Sequence, residues 1–362
     1  MTGIAAIFSS GPASSEQLNK MMSAMAGRAR DGVGRLIEGQ VAIGACILHT
    51  TAEALEADLP YRSEDRSIAL VLDGFLTNYD ELRRDLIERG FTLRNRSEAE
   101  LVLRAYEQWG DDCAARIEGE YAFVIFDGRK RELYCARDHN GSRPLFYYQT
   151  SDALLVASDI ASIIHALDHP PQPNMDFLAG VAAADFWLPE DTAWVGLQRL
   201  RKAHWLRYCN GQISKRQYWS VPTEVTLRYG TTAEYAEHYR SILDDAIRRC
   251  SRTHRPLGMA VSGGLDSSSL FCLAHRLQSD GQLLAPSIRG YTLAASPQSP
   301  AFELPFARAV AEHIGEDITE VALFKPSLDW LIQRSRRDCD IPVATNGAMT
   351  VDIEQRAAAD GC

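Results

Sequence analysis

Short apolar runs separated by polar turns fill residues 1–168: Gly3–Phe8, Val41–Leu48, Ile68–Leu72, Tyr121–Phe126, Glu132–Ala136, Leu145–Tyr148 and Leu154–Ala157. Runs of this length bounded by turn residues predict strands, and so many of them predict stacked sheets. Two helices are signalled between the runs. Asn78 is placed to cap a helix through Glu88, and Ser97 with Glu100 three residues on makes a capping-box pattern ahead of Leu101, Val102 and Tyr106. Asp127-Gly128 between two apolar runs predicts a hairpin.

His169-Pro170-Pro171-Gln172-Pro173 breaks every periodicity, because proline fixes φ and removes an N–H donor, so it reads as a linker. An aromatic-rich helical stretch (Asp176–Trp187) and a hairpin (Ala203–Tyr208, Gln212–Trp219) follow. From Thr231 the pattern changes: helix to Arg249, strand Leu257–Val261, helix Ser267–Gln278, strand Ser287–Leu293, helix Phe302–Ile314, strand Ile318–Leu323. Such alternation predicts an open parallel α/β sheet. The expected division is therefore a domain at 1–168, a linker and hairpin region at 169–230, and a second domain at 231–362.

Composition narrows the class. A chain of 362 residues with 46% hydrophobic content has the material for two cores. Its 38 basic and 48 acidic residues give a net charge of −10, with the basic residues interleaved among acids, which argues against a nucleic-acid partner. No basic leader opens the chain and no apolar run approaches the ~20 residues that span a bilayer, so a soluble cytoplasmic protein is expected. The eight cysteines are far apart in sequence, without CxxC or zinc spacing, and read as reduced thiols.

The candidate chemistry is concentrated in Leu257-Gly258-Met259-Ala260-Val261-Ser262-Gly263-Gly264-Leu265-Asp266-Ser267-Ser268. A strand runs into Ser-Gly-Gly and a helix starts at once. Two glycines let backbone amides approach an anion, the hydroxyls of Ser262, Ser267 and Ser268 add donors, and the helix N-terminus adds partial positive charge. Pyrophosphate suits that arrangement, and Asp266 is placed to hold a Mg2+ bridging phosphates. The Lys and spacing of GxxxxGK[ST] are absent. The string resembles the SGGxDS loop of ATP-pyrophosphatase (PP-loop) enzymes, which implies cleavage of ATP between its α and β phosphates and transfer of AMP to a carboxylate or carbonyl oxygen.

The N-terminal half resembles the glutaminase domain of asparagine synthetase, an N-terminal-nucleophile αββα sandwich. The resemblance is carried by Met1-Thr2-Gly3-Ile4, Arg28-Ala29-Arg30-Asp31, Asp73-Gly74-Phe75-Leu76-Thr77-Asn78-Tyr79, Ser97-Glu98-Ala99-Glu100, Gly119-Glu120-Tyr121-Ala122-Phe123 and Arg137-Asp138-His139-Asn140-Gly141-Ser142-Arg143-Pro144-Leu145. It covers nearly the whole chain in family order. The implied fold is this sandwich followed by a parallel-sheet PP-loop domain that is incomplete at its C-terminus, with ATP and Mg2+ as the groups bound.

The departures from the family pattern bear on activity. Where a working glutaminase has cysteine after Met1, this chain has Thr2; a hydroxyl can act as an N-terminal nucleophile once Met1 is removed, or the position is silent. The pocket differs too. Arg-Gly-Pro-Asp of the family reads Arg28-Ala29-Arg30-Asp31, its Asn-Gly reads Asp73-Gly74, and its glutamine-clamping Asp reads Glu98. A carboxylate at Asp73, where a neutral amide donates, repels an oxyanion. A silent glutaminase half implies free ammonia or an amine supplied by another molecule or by the substrate itself, the last as in β-lactam synthetases and lasso-peptide macrolactam synthetases. Asparagine synthesis and non-catalytic nucleotide or precursor binding are the alternatives.

Further positions carry weaker expectations. By resemblance, Val261 and Leu293 at adjacent strand ends meet the adenine ring, Glu303 is an acidic position after the second strand, and Asp338, Asp340 and Asn346 shape an acyl-substrate pocket; as core, helix-face or loop residues they look the same. His139, His204, His254 and His275 lack metal spacing, and Trp187, Trp194, Trp205 and Trp219 suggest a domain-interface core. The sequence ends at Cys362, before the family's second Gly-rich acidic segment, which implies a fragment or a degenerate copy. The expected partners are a small-molecule or peptide carboxylate and biosynthetic partner proteins, with no nucleic acid and no membrane.

Overall fold

The structure is a computed structural model that describes residues 1–185, 189–299, 302–341 and 350–362. Its residues fall into two compact units, Met1–Pro222 with Gln333–Ile341, and Thr223–Ile332 with the segment that ends at Cys362.

The first unit opens with β1 (Gly3–Ser9), α1 (Ser15–Ala24), β2 (Gly32–Glu38), β3 (Val41–Ile47), β4 (Tyr61–Arg62), β5 (Ile68–Leu76), α2 (Tyr79–Glu88) and α3 (Glu98–Trp109). It continues through β6 (Gly119–Asp127), β7 (Glu132–Arg137), β8 (Phe146–Gln149), β9 (Ala153–Ala157), α4 (Ile160–Ala166), α5 (Met175–Ala182), β10 (Gln198–Arg199), β11 (His204–Cys209) and β12 (Gln212–Gln217). Among the described residues these strands form two sheets, in the orders β10-β8-β9-β1-β3-β2 and β12-β11-β7-β6-β5-β4.

Alternation along each strand sorts the side chains into layers. Ile4, Ala6 and Phe8 of β1 face inward and meet Ala69, Val71, Ala122 and Val124 of the other sheet. Ala5 and Ile7 face outward under Leu18, Met21 and Met22 of α1 and Ile160 and Ile163 of α4. On the opposite outer face, Leu70, Leu72, Phe123 and Tyr134 pack beneath Leu101, Val102 and Ala105 of α3. The result is the expected αββα sandwich.

Local chemistry departs from expectation at two caps. Asn78 does not cap α2; its Oδ1 accepts the Glu118 N–H (2.9 Å) and its Nδ2 donates to the Arg116 carbonyl (2.9 Å), which ties two loops instead. Ser97 does cap α3, its Oγ accepting the Glu100 N–H at 3.1 Å, but the Glu100 carboxylate is drawn away by Tyr61, Arg94 and Arg104. A charge-assisted pairing outbids the return half of a capping box.

The region 169–230 is more than a linker. Its hairpin, closed by Asn210 and Gly211 at φ 50° and 76°, pairs β11 with β7 and extends the second sheet, while β10 extends the first. The compact unit accordingly runs to Pro222 rather than 168.

The second unit contains α6 (Thr232–Cys250), β13 (Leu257–Ala260), α7 (Leu265–Ser279), β14 (Ile288–Ala294), α8 (Leu304–Ile314), β15 (Ile318–Ala322), α9 (Leu328–Asp338), which continues into the first unit, and α10 (Val351–Ala359). Its strands pair in parallel in the order β13-β14-β15, as the alternation predicts. Its core is thin: Ile247, Ala274 and Leu277 cluster with half-buried Met259, Leu273 and Ile288, and Phe271 packs fully buried under Gly290. No helix among the described residues is long and apolar enough to cross a membrane. All eight cysteines are free thiols.

Candidate functional site

In the second unit, β13 delivers the chain to the Ser-Gly-Gly turn. Val261 is buried and its N–H still donates to the Tyr291 carbonyl of β14 (2.7 Å), so strand pairing holds to the last residue before the turn. The Ser262 N–H then donates to Ser267 Oγ (3.0 Å), the two hydroxyls meet at 2.9 Å, and Ser262 Oγ accepts the Gly264 N–H at 3.2 Å. Gly263 sits at φ +83°, and a Cβ there meets Phe306 Cβ at 2.5 Å and Ala307 N at 2.8 Å. Both the conformation and the space demand glycine.

Gly264 is the N-cap of α7 and no side chain caps the helix, so its first-turn N–H groups are left for solvent or a ligand. The Ser268 hydroxyl is buried without a partner beside them. Asp266 lies in that first turn, on the wall of a groove of ≈770 Å³ shared with Tyr239, Phe306 and Val310. Free N–H groups, an orphaned hydroxyl and one hard carboxylate suit a polyphosphate whose magnesium takes most of its ligands from phosphate and water. No group of three or more metal-ligating side chains exists among the described residues, so an ion held by protein alone does not fit.

Val261 and Leu293 are brought to the carboxyl ends of neighbouring parallel strands, as expected. Glu303 is the exposed residue that precedes α8, and its carbonyl accepts the Phe306 and Ala307 N–H groups. Asp338 pairs with Arg337 (2.7 Å) and Arg334 (3.4 Å), and burial raises the Asp340 carboxyl above its ordinary value; both belong to the segment counted with the first unit. Asn346 and Trp187 lie outside the described residues. The other tryptophans do not form one cluster: Trp205 is inside the α3-side core, Trp194 donates to the Cys339 carbonyl (2.6 Å), and Trp219 packs edge-on against His139.

In the first unit, Thr2 precedes β1 and is buried. Its hydroxyl donates to the Leu48 carbonyl and accepts the Leu48 N–H, both at 3.1 Å, and so prolongs the β1–β3 ladder by one side chain. A carbonyl is no base, so neither bond activates the oxygen. With Gly74 and Glu98, Thr2 lines a cavity of ≈40 Å³, room for about three waters at roughly 10–15 Å³ each. Glu98, in the first turn of α3, accepts from Thr51 Oγ1 at 2.9 and 3.1 Å.

Asp73 is buried with the Thr2 N–H against its carboxylate, and burial raises its pKa while Arg143, the Met1 amine and Arg28 oppose the shift. The Met1 amine is itself lowered by burial and by three arginines, with Asp73 opposing. Around this group Arg28 Nη1, Asp73 Oδ2 and Arg143 Nε are buried without partners. Arg28, Asp73, Gly74 and Glu98 are thus all brought to the neighbourhood of Thr2. Arg143 and Thr51 were not singled out in the sequence; the Arg143 signal was its place closing Arg137-Asp138-His139-Asn140-Gly141-Ser142-Arg143.

The glutamine amidotransferase domain family matches residues 1–219, and the asparagine synthase family matches residues 238–347. The chain is 27% identical to the amidase chry2 of Gibberella zeae over 361 residues, covering 96% of this chain and 53% of that protein. It is 30% identical over 227 residues to glutamine-hydrolyzing asparagine synthetase 2 of Bacillus subtilis, covering 58% of this chain and 30% of the relative. It therefore spans about half, or less, of these relatives' length. Among solved structures, the glutamine phosphoribosylpyrophosphate amidotransferase of B. subtilis matches with a TM-score of 0.47 at 13% identity, covering 88% of this chain and 90% of that one.

Proposed function

The chain belongs to the asparagine synthetase superfamily, and on that footing we propose that it is part of an ATP-dependent amide-forming ligase whose glutaminase half is silent. A carboxylate oxygen attacks the α-phosphorus of ATP, pyrophosphate leaves, and an amine then displaces AMP from the acyl-adenylate to give the amide. The observation that carries this reading is the turn after β13, where Gly263 at φ +83° and the uncapped first turn of α7 present N–H groups and hydroxyls to one place. In this reading the amides of Gly263 and Leu265 and the partnerless Ser268 hydroxyl hold the departing pyrophosphate, and Ser262 and Ser267 turn their hydroxyls from each other and from the Gly264 N–H to join them. Asp266 holds the Mg2+, whose charge offsets that of the phosphates. Val261 and Leu293 border the adenine.

The amine does not come from glutamine hydrolysed in the first unit. Thr2 has both hydroxyl bonds committed to Leu48, and its nitrogen is an amide against the Asp73 carboxylate. Removal of Met1 would free that nitrogen as an amine beside the same carboxylate, whose charge opposes the negative charge that builds on an attacked amide. We therefore favour an amine carried by the substrate, with closure of a peptide or amino-acid derivative as in lasso-peptide or β-lactam formation. Holding amine and acyl-adenylate together then supplies several kcal/mol of the barrier. A second reading, conversion of aspartate to asparagine with ammonia, is favoured by the asparagine synthetases among the relatives.

The test is pyrophosphate release from ATP across a panel of carboxylates, with Asp266→Ala as control. Release that needs an amine-bearing peptide or amino-acid derivative, is lost in Asp266→Ala and is not accompanied by ammonia from glutamine supports the first reading. Dependence on aspartate and ammonia supports the second. ATP binding lost in Asp266→Ala with no release under any substrate overturns both and leaves nucleotide binding.

A further inference from the structure

The chain is acidic, yet one cavity of the first unit is walled by cations. Between the loop after β7 and the turn before β11 lies a space of ≈410 Å³ bordered by Arg137, Arg199, Arg201, Lys202, His139 and Trp219. Among the described residues none of the four permanent cations forms an ion pair. The carboxylates nearby are engaged elsewhere. Asp138 accepts the N–H groups of Asn140 and Ser142 (3.0 Å each) and Arg143 (3.1 Å), and Glu190 takes Lys215 at 2.5 Å. Asp340 is within the field of Arg199 and accepts the Ile341 N–H, and Glu118 bears on His139.

The cavity is built rather than incidental. Arg137 is buried, and its guanidinium donates only to carbonyls: Arg143 O from Nε (2.6 Å), Leu200 O from Nη1 (2.8 Å) and Gly141 O from Nη2 (2.5 Å). Its charge is held in place without an ion-pair contact; burial together with Arg199 lowers its pKa to about 10, while the Asp138 carboxylate opposes the shift. Gly141, at φ +71°, is pinned against it: a Cβ there meets Arg137 Cζ at 3.0 Å and Lys202 Cβ at 3.1 Å.

The turn that carries Arg201 and Lys202 is held in a strained form. Ala203 sits at φ +55°, a conformation that costs an alanine on the order of 1–2 kcal/mol. It is fixed there by its N–H on the Asp138 carbonyl and its own carbonyl under the Tyr218 N–H, both at 2.9 Å. His204 Nδ1 meets the Lys202 carbonyl at 2.8 Å and steadies the same turn. Strain stored where cations converge is the mark of a clamp whose shape matters.

We propose that this cavity binds a small phosphorylated anion, gripped by Arg199, Arg201 and Lys202 above a floor organised by Arg137. A planar guanidinium pair with a lysine point charge is the combination that recognises phosphate oxygens. Nucleic acid is disfavoured because the cations surround one concavity instead of tracking a line of phosphates. Trp219, edge-on to His139 at 4.9 Å, presents an aromatic wall to whatever the phosphate is attached to. None of the residues that line it belongs to the Ser-Gly-Gly turn, and it does not depend on the ligase reading.

The experiment is calorimetric titration of inorganic pyrophosphate into the full chain carrying Ser262→Ala and Ser267→Ala, which weaken the other phosphate-seeking turn. The result expected is one saturable site whose affinity falls tenfold or more, about 1.4 kcal/mol, when the exposed Arg201 and Lys202 are both changed to Glu. An unchanged thermal transition in that variant shows the fold is kept. Titrations with orthophosphate and AMP separate the sources: tighter AMP binding lost in Trp219→Ala marks a nucleotide, and tighter pyrophosphate binding marks an inorganic or polyphosphate ligand. Absence of saturable binding of all three anions, an affinity unmoved by the charge reversal, or tighter binding of a single-stranded RNA oligomer through the same residues overturns the proposal.

Discussion

Helices α3 and α7 both start immediately after a polar turn, and they start in opposite ways. Ser97 closes α3 with its own hydroxyl and the helix then buries Leu101, Val102 and Leu103 against a sheet. Gly264 leaves α7 open, and the residue after it, Leu265, is 88% exposed. The same contrast runs through the two units. In the first, β3 and β7 are buried along their whole length; in the second, β13 alternates half-buried and exposed, although parallel strands are normally covered on both faces. The lesson is that packing differs where the candidate chemistry differs: the well-packed unit leaves only ≈40 Å³ beside Thr2, while the loosely packed unit leaves the first turn of α7 uncapped beside a groove of ≈770 Å³.

The sharpest way to break this contrast is to remove a ring from each core. Phe123→Ala, fully buried between α3 and the second sheet, is expected to cost about 3–5 kcal/mol, read as a shift of the main denaturant transition. Phe271→Ala is expected to leave that transition in place and to abolish amide-exchange protection in β13 and β14. Equal loss in both units from either change would show that they fold as one, contrary to the comparison.

Gly263→Ala comes next. Its Cβ collides with Phe306 at 2.5 Å, and ATP affinity is expected to fall at least tenfold, ~1.4 kcal/mol, with little change in the first unit's transition. Retained affinity would detach the turn from nucleotide binding.

Asp73→Asn tests the closed pocket through pH. The Asp73 carboxyl is raised in the fold, so the native state binds a proton that the unfolded chain gives up near pH ~3.9. Stability therefore declines as pH climbs from that value through the native one, and the penalty is complete above both. The amide variant is expected to be the more stable at neutral pH, with the gap closing under acid. A gap independent of pH would place the effect elsewhere.

The smallest effects come from the caps. Ser97→Ala is expected to cost ~1–2 kcal/mol and Thr231→Ala, at the exposed capping box of α6, ~0.5–1 kcal/mol, measured as shifts in each unit's own transition. The order of the two matters more than their size.

Much of this was legible in sequence because it is written locally. Runs such as Val41–Leu48 and Leu257–Val261 gave strands that differ by a residue from those observed, and the chain of residues from Ser262 to Ser268 announced its own turn. What escaped depended on partners distant in sequence. Strand β2 was missed because only alternate residues, Gly32, Gly34 and Leu36, are half-buried at a sheet edge. α4 was missed because Ile160–Ala166 is short and buried on nearly every side, so that Ser162 and His165 mark no polar face, though Asp159 caps it. The cationic cavity was invisible because Arg137 and Arg201 are joined only when β11 pairs with β7. Asn78 misled because a good cap residue was recruited for a tie between loops.

Among the described residues, β13 and β15 each pair on one side only, so each presents a row of open main-chain N–H and C=O groups. Nearby, Phe306 and Leu265 are mostly exposed. Sheet margins of this kind are templates for further strands, so each is a place where another stretch of extended backbone can add to the sheet.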